Sequence, residues 1–70
     1  MAVKLSARNK LPGVIDRIQL DGLTAKVTMR VGDNCIVAVI TRESVEDMDL
    51  RVGDAVTAVI KSTSVMLAKE

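Results

Sequence analysis

Apolar and polar side chains alternate without interruption over residues 23–31, and this alternation constrains the fold more than any other feature of the chain. The apolar set occupies every second position: Leu23, Ala25, Val27, Met29 and Val31. A period of two residues places the two sets on opposite faces of a β-strand. The segment therefore predicts a strand that is buried on one side and faces solvent on the other.

Further strands are predicted on both sides of this one. Asp21-Gly22 and the triplet at residues 32–34 are turn sequences that bound it. The other predicted strands are residues 3–7, 14–20 (after the Pro12-Gly13 break), 35–40, 55–60 and 65–68. Residues 35–40 are apolar on both faces, which is typical of a strand covered on both sides, and Cys35 is expected to be a buried, inert thiol.

A short helix is predicted after residue 40. Thr41 suits the N-cap, the acidic residues at 43, 46 and 47 favour the early turns, and Val45 with Met48 has helical spacing. Residues 50–54 look like a turn back into the sheet. The prediction is an all-β single domain of residues 1–70, with five or six short strands and one short helix, as in a small Greek-key barrel of the OB type.

The chain is short enough to need support from a partner. A domain of 70 residues buries only about 60% of its unfolded surface. One cysteine excludes an intramolecular disulfide, and a chain without histidine is a poor candidate for a zinc site. Hydrophobic residues make up 49% of the chain without any aromatic residue. Apolar surface left over for a partner is therefore expected, and we predict a homo-oligomer.

Several classes of function are disfavoured by the composition. Without histidine, a carboxylate pair near a nucleophile, or a phosphate-binding loop, an enzyme is not expected. A net charge of +1 and the absence of aromatic residues argue against nucleic acid as a partner. No stretch has the length of a membrane span, and the N-terminal residues lack the apolar region of a signal peptide. We therefore expect a soluble, cytoplasmic protein without a membrane partner.

Hydrogen-bond donors and cations occur at three places in the sequence. Each place holds a pair of residues: Ser6 with Arg8, Thr41 with Ser44, and Lys61 with Ser62. If the three places converge, they form a pocket of hydroxyls, amides and two cations that suits a tetrahedral dianion. The alternative is that Arg8 and Lys61 are ordinary solvated charges and that Thr41 and Ser44 only cap the helix.

Three segments of the chain resemble one protein family. Residues 6–13, Ser-Ala-Arg-Asn-Lys-Leu-Pro-Gly, are similar to the opening signature of the molbindin family, the small molybdenum-pterin-binding proteins with a Mop or TOBE-type domain. Residues 40–45, Ile-Thr-Arg-Glu-Ser-Val, resemble its strand-to-helix junction. Residues 56–68 resemble its last two strands. The resemblance covers nearly the whole chain, with the segments in the same order and at the same spacing.

The resemblance implies a five-stranded OB-like barrel that assembles as a homohexamer, a trimer of dimers. It implies molybdate or tungstate as the bound ligand, held at subunit interfaces as an oxyanion and not by direct ligation of the metal. The residues carried over are Ser6, Arg8, Thr41, Ser44, Lys61 and Ser62. The family name refers to a pterin, but this chain has no aromatic residue to stack on such a ring.

Storage and homeostasis of molybdenum is the function that the resemblance favours. The alternatives are a ligand-sensing module of a molybdate-responsive regulator or transporter, and an OB-fold nucleic-acid binder. The expected role has no catalytic cofactor.

Overall fold

A computed structural model describes residues 8–70 as a curled, four-stranded antiparallel sheet with one short helix. The strands β1 (Asn9–Asp21), β2 (Thr24–Val31), β3 (Asn34–Thr41) and β4 (Ala55–Ile60) lie in the order β3-β2-β1-β4. The helix α1 (Arg42–Asp47) follows β3, and a 3₁₀ turn (Ser62–Ser64) follows β4. The all-β class is confirmed. The strand predicted at residues 3–7 and the site residue Ser6 lie outside the described residues.

The first described strand is longer than predicted. We expected Pro12-Gly13 to interrupt the chain, but β1 runs through both residues. Residues 9–13 of β1 pair only with β4, since pairing with β2 begins at Val14. Proline lacks an N–H and is therefore tolerated in a strand where one side needs no ladder bond. The glycine has a separate role, because a Cβ at residue 13 would collide with the main chain of Arg30.

A bend in β1 gives the sheet its curl. Ile15 pairs with Met29 and Arg17 with Thr28, so Asp16 is an extra residue in a β-bulge. Ile15 is also bonded to the turn that precedes β4: its N–H donates to the carbonyl oxygen of Asp54 at 2.9 Å, and its carbonyl accepts from the N–H of Gly53 at 2.8 Å. Bulges increase local twist, and this one lies just after Val14, where β1 passes from its pairing with β4 to its pairing with β2.

The core lies on the concave side of the sheet and confirms most of the alternation in β2. Ala25, Val27 and Met29 are buried, together with Ile15 from β1 and Val45 from the helix. We predicted that Leu23 lies on the same face, but it is 88% exposed in the turn between β1 and β2. A side chain in a two-residue turn leaves the pleat, so the alternation begins only at Thr24.

The prediction that residues 35–40 are covered on both sides is wrong for the single chain. β3 lies at the edge of the sheet, and its outer face carries Val37 and Val39, which are 55% and 70% exposed. Cys35, expected to be buried, is exposed on the same face. The residues between them, on the inner face of β3, are half-buried against the core. One subunit, as described over residues 8–70, therefore covers only one side of this apolar strand.

The helix is confirmed and the final strand is not. α1 begins after Thr41, as predicted, and Val45 packs into the core. Residues 65–68, predicted as a strand, have no partner in the sheet formed by residues 8–70. Met66 and Leu67 in this segment are 92% and 94% exposed. The polar corner before it forms the 3₁₀ turn, which directs the chain away from β4.

Candidate functional site

Two of the predicted site residues, Arg8 and Lys61, are neighbours at one end of the sheet. Asn9 is the register partner of Ile60 in the antiparallel pair of β1 and β4. The Asn9 side chain strengthens this pairing, because its Nδ2 donates to the carbonyl oxygen of Ile60 at 3.2 Å. Arg8 immediately precedes β1 and Lys61 immediately follows β4, and both are exposed. Continuing the register by one residue brings these two cations next to each other.

This end of the sheet is strongly basic. Arg8, Lys10 and Lys61 contribute three positive charges, while residues 8–13 and 57–64 contain no acidic residue. Ser62 follows Lys61 directly and begins the 3₁₀ turn, in which the N–H of Ser64 donates to the carbonyl oxygen of Lys61 at 2.9 Å. We call residues 8–10 together with residues 61–62 the basic end. It presents cations and a hydroxyl, which are the donors that an oxyanion requires.

Thr41 and Ser44 form a tight pair at the start of α1. The Thr41 Oγ1 accepts from the N–H of Ser44 at 3.0 Å and lies 2.7 Å from the Ser44 Oγ. Only one hydroxyl proton can lie between the two oxygen atoms. Whichever hydroxyl donates, the other retains an O–H for a further acceptor. The pair is therefore a helix cap, as the alternative interpretation requires, and it still offers one donor to a ligand.

The surroundings of this pair are acidic. Residues 41–47 contain Arg42 and three acidic residues, Glu43, Glu46 and Asp47, which gives a sum of +1 − 3 = −2. Arg42 is engaged by Glu46, with its Nε 3.7 Å from the Glu46 Oε1. We call residues 41–47 the acidic end. By itself it would repel a dianion, so its hydroxyl pair needs additional cations to serve as a binding site.

One chain does not bring the three predicted places together. The basic end lies where β1 begins, whereas Asp21, at the other end of β1, pairs with Thr24, and Thr24 pairs with Thr41. Strands rise about 3.3 Å per residue, so most of the length of β1 separates Arg8 from Thr41. A four-oxygen anion cannot span this distance. Arg8, Lys61 and Ser62 form one group, Thr41 and Ser44 form another, and Ser6 lies outside the described residues.

Asn9 lies beside these two cations, Arg8 and Lys61, and our sequence reasoning did not select it. Its side-chain amide donates to the carbonyl oxygen of Ile60, the last residue of β4. The sequence signal that could have identified Asn9 was its position inside the Ser-Ala-Arg-Asn segment.

Among residues 8–70, no group of three or more histidine, cysteine or acidic residues is placed to hold a metal ion. In the same residues, no helix is long and apolar enough to cross a membrane.

Comparison with known proteins places the chain in a family. The family model of the TOBE domain matches residues 5–67. Molybdenum-pterin-binding protein 1 of Clostridium pasteurianum is 39% identical over 66 residues, which cover 93% of this chain and 97% of that protein. Molybdenum transport protein ModE of Azotobacter vinelandii is 41% identical over 71 residues, and this chain spans only 26% of its length.

Solved structures agree with the sequence comparison. A molybdate-binding protein from Sporomusa ovata has a TM-score of 0.92 and 40% identity, with 96% of this chain and 100% of that chain covered. The cytoplasmic molybdate-binding protein ModG, solved with molybdate bound, has a TM-score of 0.82 and 34% identity, with 86% of this chain and 43% of that chain covered. The chain therefore belongs to the molbindin family of molybdenum-pterin-binding proteins, within the wider group of TOBE domains.

Proposed function

We propose that this chain binds molybdate or tungstate at interfaces between its copies and serves intracellular molybdenum storage and homeostasis. The observation that carries the proposal is the separation of the basic end from the acidic end on one sheet. Each end holds part of the donor set and neither is complete alone. The site would form where the basic end of one copy meets the hydroxyl pair of another.

Charge complementarity supports this pairing of ends. The described residues of the basic end carry +3 and the acidic end carries −2, so two copies attract each other through unlike ends. In a two-fold dimer each copy supplies both ends, and two equivalent sites result. The three cations of one copy would then offset the carboxylates of the other and leave net positive charge for a dianion. Arg8 and Lys61 supply that charge, while Ser62 and the Thr41–Ser44 pair supply hydroxyl donors, with Ser6 proposed as a further donor.

The donor set determines which anions fit. Molybdate and tungstate are fully deprotonated near neutral pH and present four acceptor oxygens, which suit a pocket built from donors and cations. Phosphate is partly protonated and would present its own donor to such a pocket, leaving an unfavourable contact. Sulfate has the same charge as molybdate but is smaller, so the size of the pocket would exclude it.

The assembly we propose is a homohexamer built as a trimer of dimers, with each subunit completing a five-stranded barrel. The relatives named for molybdenum or molybdate binding support the ligand. ModG, described as cytoplasmic, supports the same location for this chain. We propose no catalytic role and no catalytic cofactor, in keeping with relatives that are named for binding molybdenum or molybdate.

Calorimetric titration of the purified protein with molybdate, tungstate and sulfate tests the proposal, with the oligomeric mass measured on the same sample. We expect saturable binding of molybdate and tungstate by an oligomer and no binding of sulfate. Absence of molybdate binding by an intact oligomer would refute the proposed ligand. Equal affinity for sulfate would refute selection by size.

Two variants assign the site. Lys61→Ala removes a charge-assisted bond worth about 1.5–3 kcal/mol, so we expect affinity for molybdate to fall roughly 10- to 100-fold without loss of assembly. Arg17→Ala is the matched control, since it removes one positive charge from the middle of β1, outside both ends. If both variants bind equally, Lys61 does not belong to the site.

A second candidate function is a sensing module within a larger protein. It is favoured by the 41% identity to ModE, of which this chain spans 26%. An immunoblot of cell extract distinguishes the two roles. A band near 7.5 kDa supports storage by the free chain, whereas a band several times larger supports a module of a regulator or transporter.

A further inference from the structure

The convex side of the sheet, opposite the core, carries a cluster of cations around Thr28. On β2, Lys26 and Arg30 lie two residues before and two residues after Thr28, so all three side chains lie on one face. Arg17 of β1 is the register partner of Thr28. The three cations are exposed, whereas Thr28 is half-buried. Strand geometry places the Cα atom of each cation about 5–7 Å from that of Thr28.

These cations have no counter-charge in the described chain. Ion pairs within 4 Å among residues 8–70 involve only Arg42 and Arg51. The acidic residues of β1, β2, β3 and the turns between them are Asp16, Asp21 and Asp33, and none of them forms such a pair. Like charges on neighbouring positions of a sheet repel one another and destabilise the fold. The cluster therefore has an unfavourable effect on one chain that only an anionic partner would reverse.

Exposed valines lie beside the cations. Val37 and Val39 on β3 are the register partners of Thr28 and Lys26, and both are more than half exposed. A shallow depression of about 380 Å³ lies next to Lys26 and Val39, towards the end of β1. Exposed apolar residues rimmed by polar ones are typical of protein-binding surfaces. We call this surface the convex patch, which consists of Arg17, Lys26, Thr28, Arg30, Val37 and Val39.

We propose that the convex patch binds a second kind of protein, one whose surface combines carboxylates with apolar side chains. Carboxylates suit the three cations, and the two arginines can each form bidentate pairs with them. Apolar side chains suit the two valines and the depression beside them. The inference goes beyond the proposed function, because the patch shares no residue with the basic end or the acidic end.

Other occupants of the patch fit less well. Single-stranded nucleic acid is bound by stacking its bases on aromatic residues, and this chain has none, so the valines would stay uncovered. A second copy of the chain has its acidic end matched to the basic end in the proposed function. The patch is therefore left for a partner of different sequence.

Fluorescence anisotropy of labelled probes tests the proposal on the full chain. The main probe is a short peptide in which glutamate alternates with valine. The comparison probes are the same peptide with serine in place of valine and an oligothymidylate of equal charge. We expect the glutamate–valine peptide to bind most tightly, with an affinity that falls as salt rises. No binding of this peptide, equal binding of the two peptides, or tighter binding of the oligothymidylate would each overturn the proposal.

Two variants assign binding to the patch. An exposed ion pair contributes a factor of about 1.4–5 in affinity. The triple variant Arg17→Gln, Lys26→Gln, Arg30→Gln should therefore bind the glutamate–valine peptide roughly 3- to 100-fold more weakly. Val37→Thr with Val39→Thr keeps the branched shape but replaces a methyl group by a hydroxyl at each position, and it should weaken binding roughly 10-fold. Unchanged affinity in either variant would refute the part that these residues play.

The matched control replaces Arg42, Arg51 and Lys69 by glutamine. It removes the same number of positive charges from exposed positions outside the patch, so affinity for the peptide should stay within about 2-fold at physiological salt. A loss as large as that of the triple variant would mean that net charge alone attracts the peptide, and the proposal would fail.

Oligomeric mass and molybdate affinity complete the test. Both should be the same in the triple variant as in the unmodified chain, because the patch is separate from the proposed oxyanion site. A change in mass would mean that the patch lies between copies of the chain. A loss of molybdate binding would assign the three cations to the oxyanion site, and either result would overturn the proposal.

Discussion

Replacement of Gly13 by alanine tests the close approach of β1 to β2 at the bend. A Cβ at residue 13 would lie 2.9 Å from the Met29 Cε and 2.9 Å from the Val31 Cγ2, and closer still to the carbonyl oxygen of Arg30. The two side chains can move by rotation about their bonds, but the carbonyl belongs to the β2 main chain. The strands must therefore separate locally to admit one methyl group.

The expected cost is the difference between two opposing effects. Forcing an extra methyl group into a packed site costs about 1–3 kcal/mol. Alanine also has fewer conformations than glycine in the unfolded chain, which returns about 0.4–1 kcal/mol. Because the closest contact is with main chain, we take the upper part of the first range, about 2–3 kcal/mol, and expect a net loss of about 1–2.6 kcal/mol. This loss lowers the Tm by roughly 4–20 °C for a domain of this size. Total stability of about 0.05–0.15 kcal/mol per residue leaves the variant folded at room temperature.

Thermal unfolding followed by far-ultraviolet circular dichroism measures the effect. Protein concentrations must be equal, because association raises the apparent Tm. Thr57→Ala, an exposed position on β4, is the control and should change stability by less than about 0.5 kcal/mol. A Gly13→Ala variant that is as stable as the unmodified chain would refute the close approach of β1 to the Arg30 carbonyl.

Three further predictions concern other parts of the fold. Thr41→Val removes the cap bond to Ser44 and should lower the free energy of unfolding by about 1 kcal/mol, measured by thermal unfolding. The control Thr41→Ser should retain most of the stability. Equal losses of stability in the two variants would exclude the hydroxyl as the cause. Ile15→Ala truncates the largest fully buried side chain among the described residues and should cost about 2–5 kcal/mol, seen as a lower urea midpoint. A loss below about 1 kcal/mol would contradict its burial. Arg42→Ala breaks an exposed ion pair with Glu46 and should change stability by less than about 0.5 kcal/mol, so a larger loss would point to another contact.

Features that depend on neighbouring residues were predictable from the sequence. The alternation in β2, the turns that bound it and the Thr41 cap each arise from side chains within a few positions of one another. The residues of the candidate site were selected because cations and hydroxyls are the donors that bind oxyanions, and their role stays a prediction. Local chemistry therefore indicated the class of fold, whereas the family resemblance indicated the ligand.

Features that depend on distant residues were not predictable. From the sequence, Gly13 predicts a break in the strand. The structure shows instead that the main chain of Arg30, seventeen positions further along the sequence, lies against it. The separation of Arg8 from Thr41 depends on the length and register of β1, which the apparent break at Pro12-Gly13 concealed.

Cys35 was placed wrongly for a related reason. Residues 35–40 are apolar on both faces, and this pattern suits the strand in an assembly better than in a single chain. One copy covers only the inner face, so the thiol is exposed.

The basic and acidic ends also place opposite charges near the two ends of the long strand. A charge of +3 at one end and −2 at the other gives two approaching copies a torque before they touch, which turns unlike ends toward each other. At physiological salt the Debye length is about 8 Å, so this orientation would act only over the last few water layers of the approach. If the copies associate as we propose, association should therefore slow as salt rises.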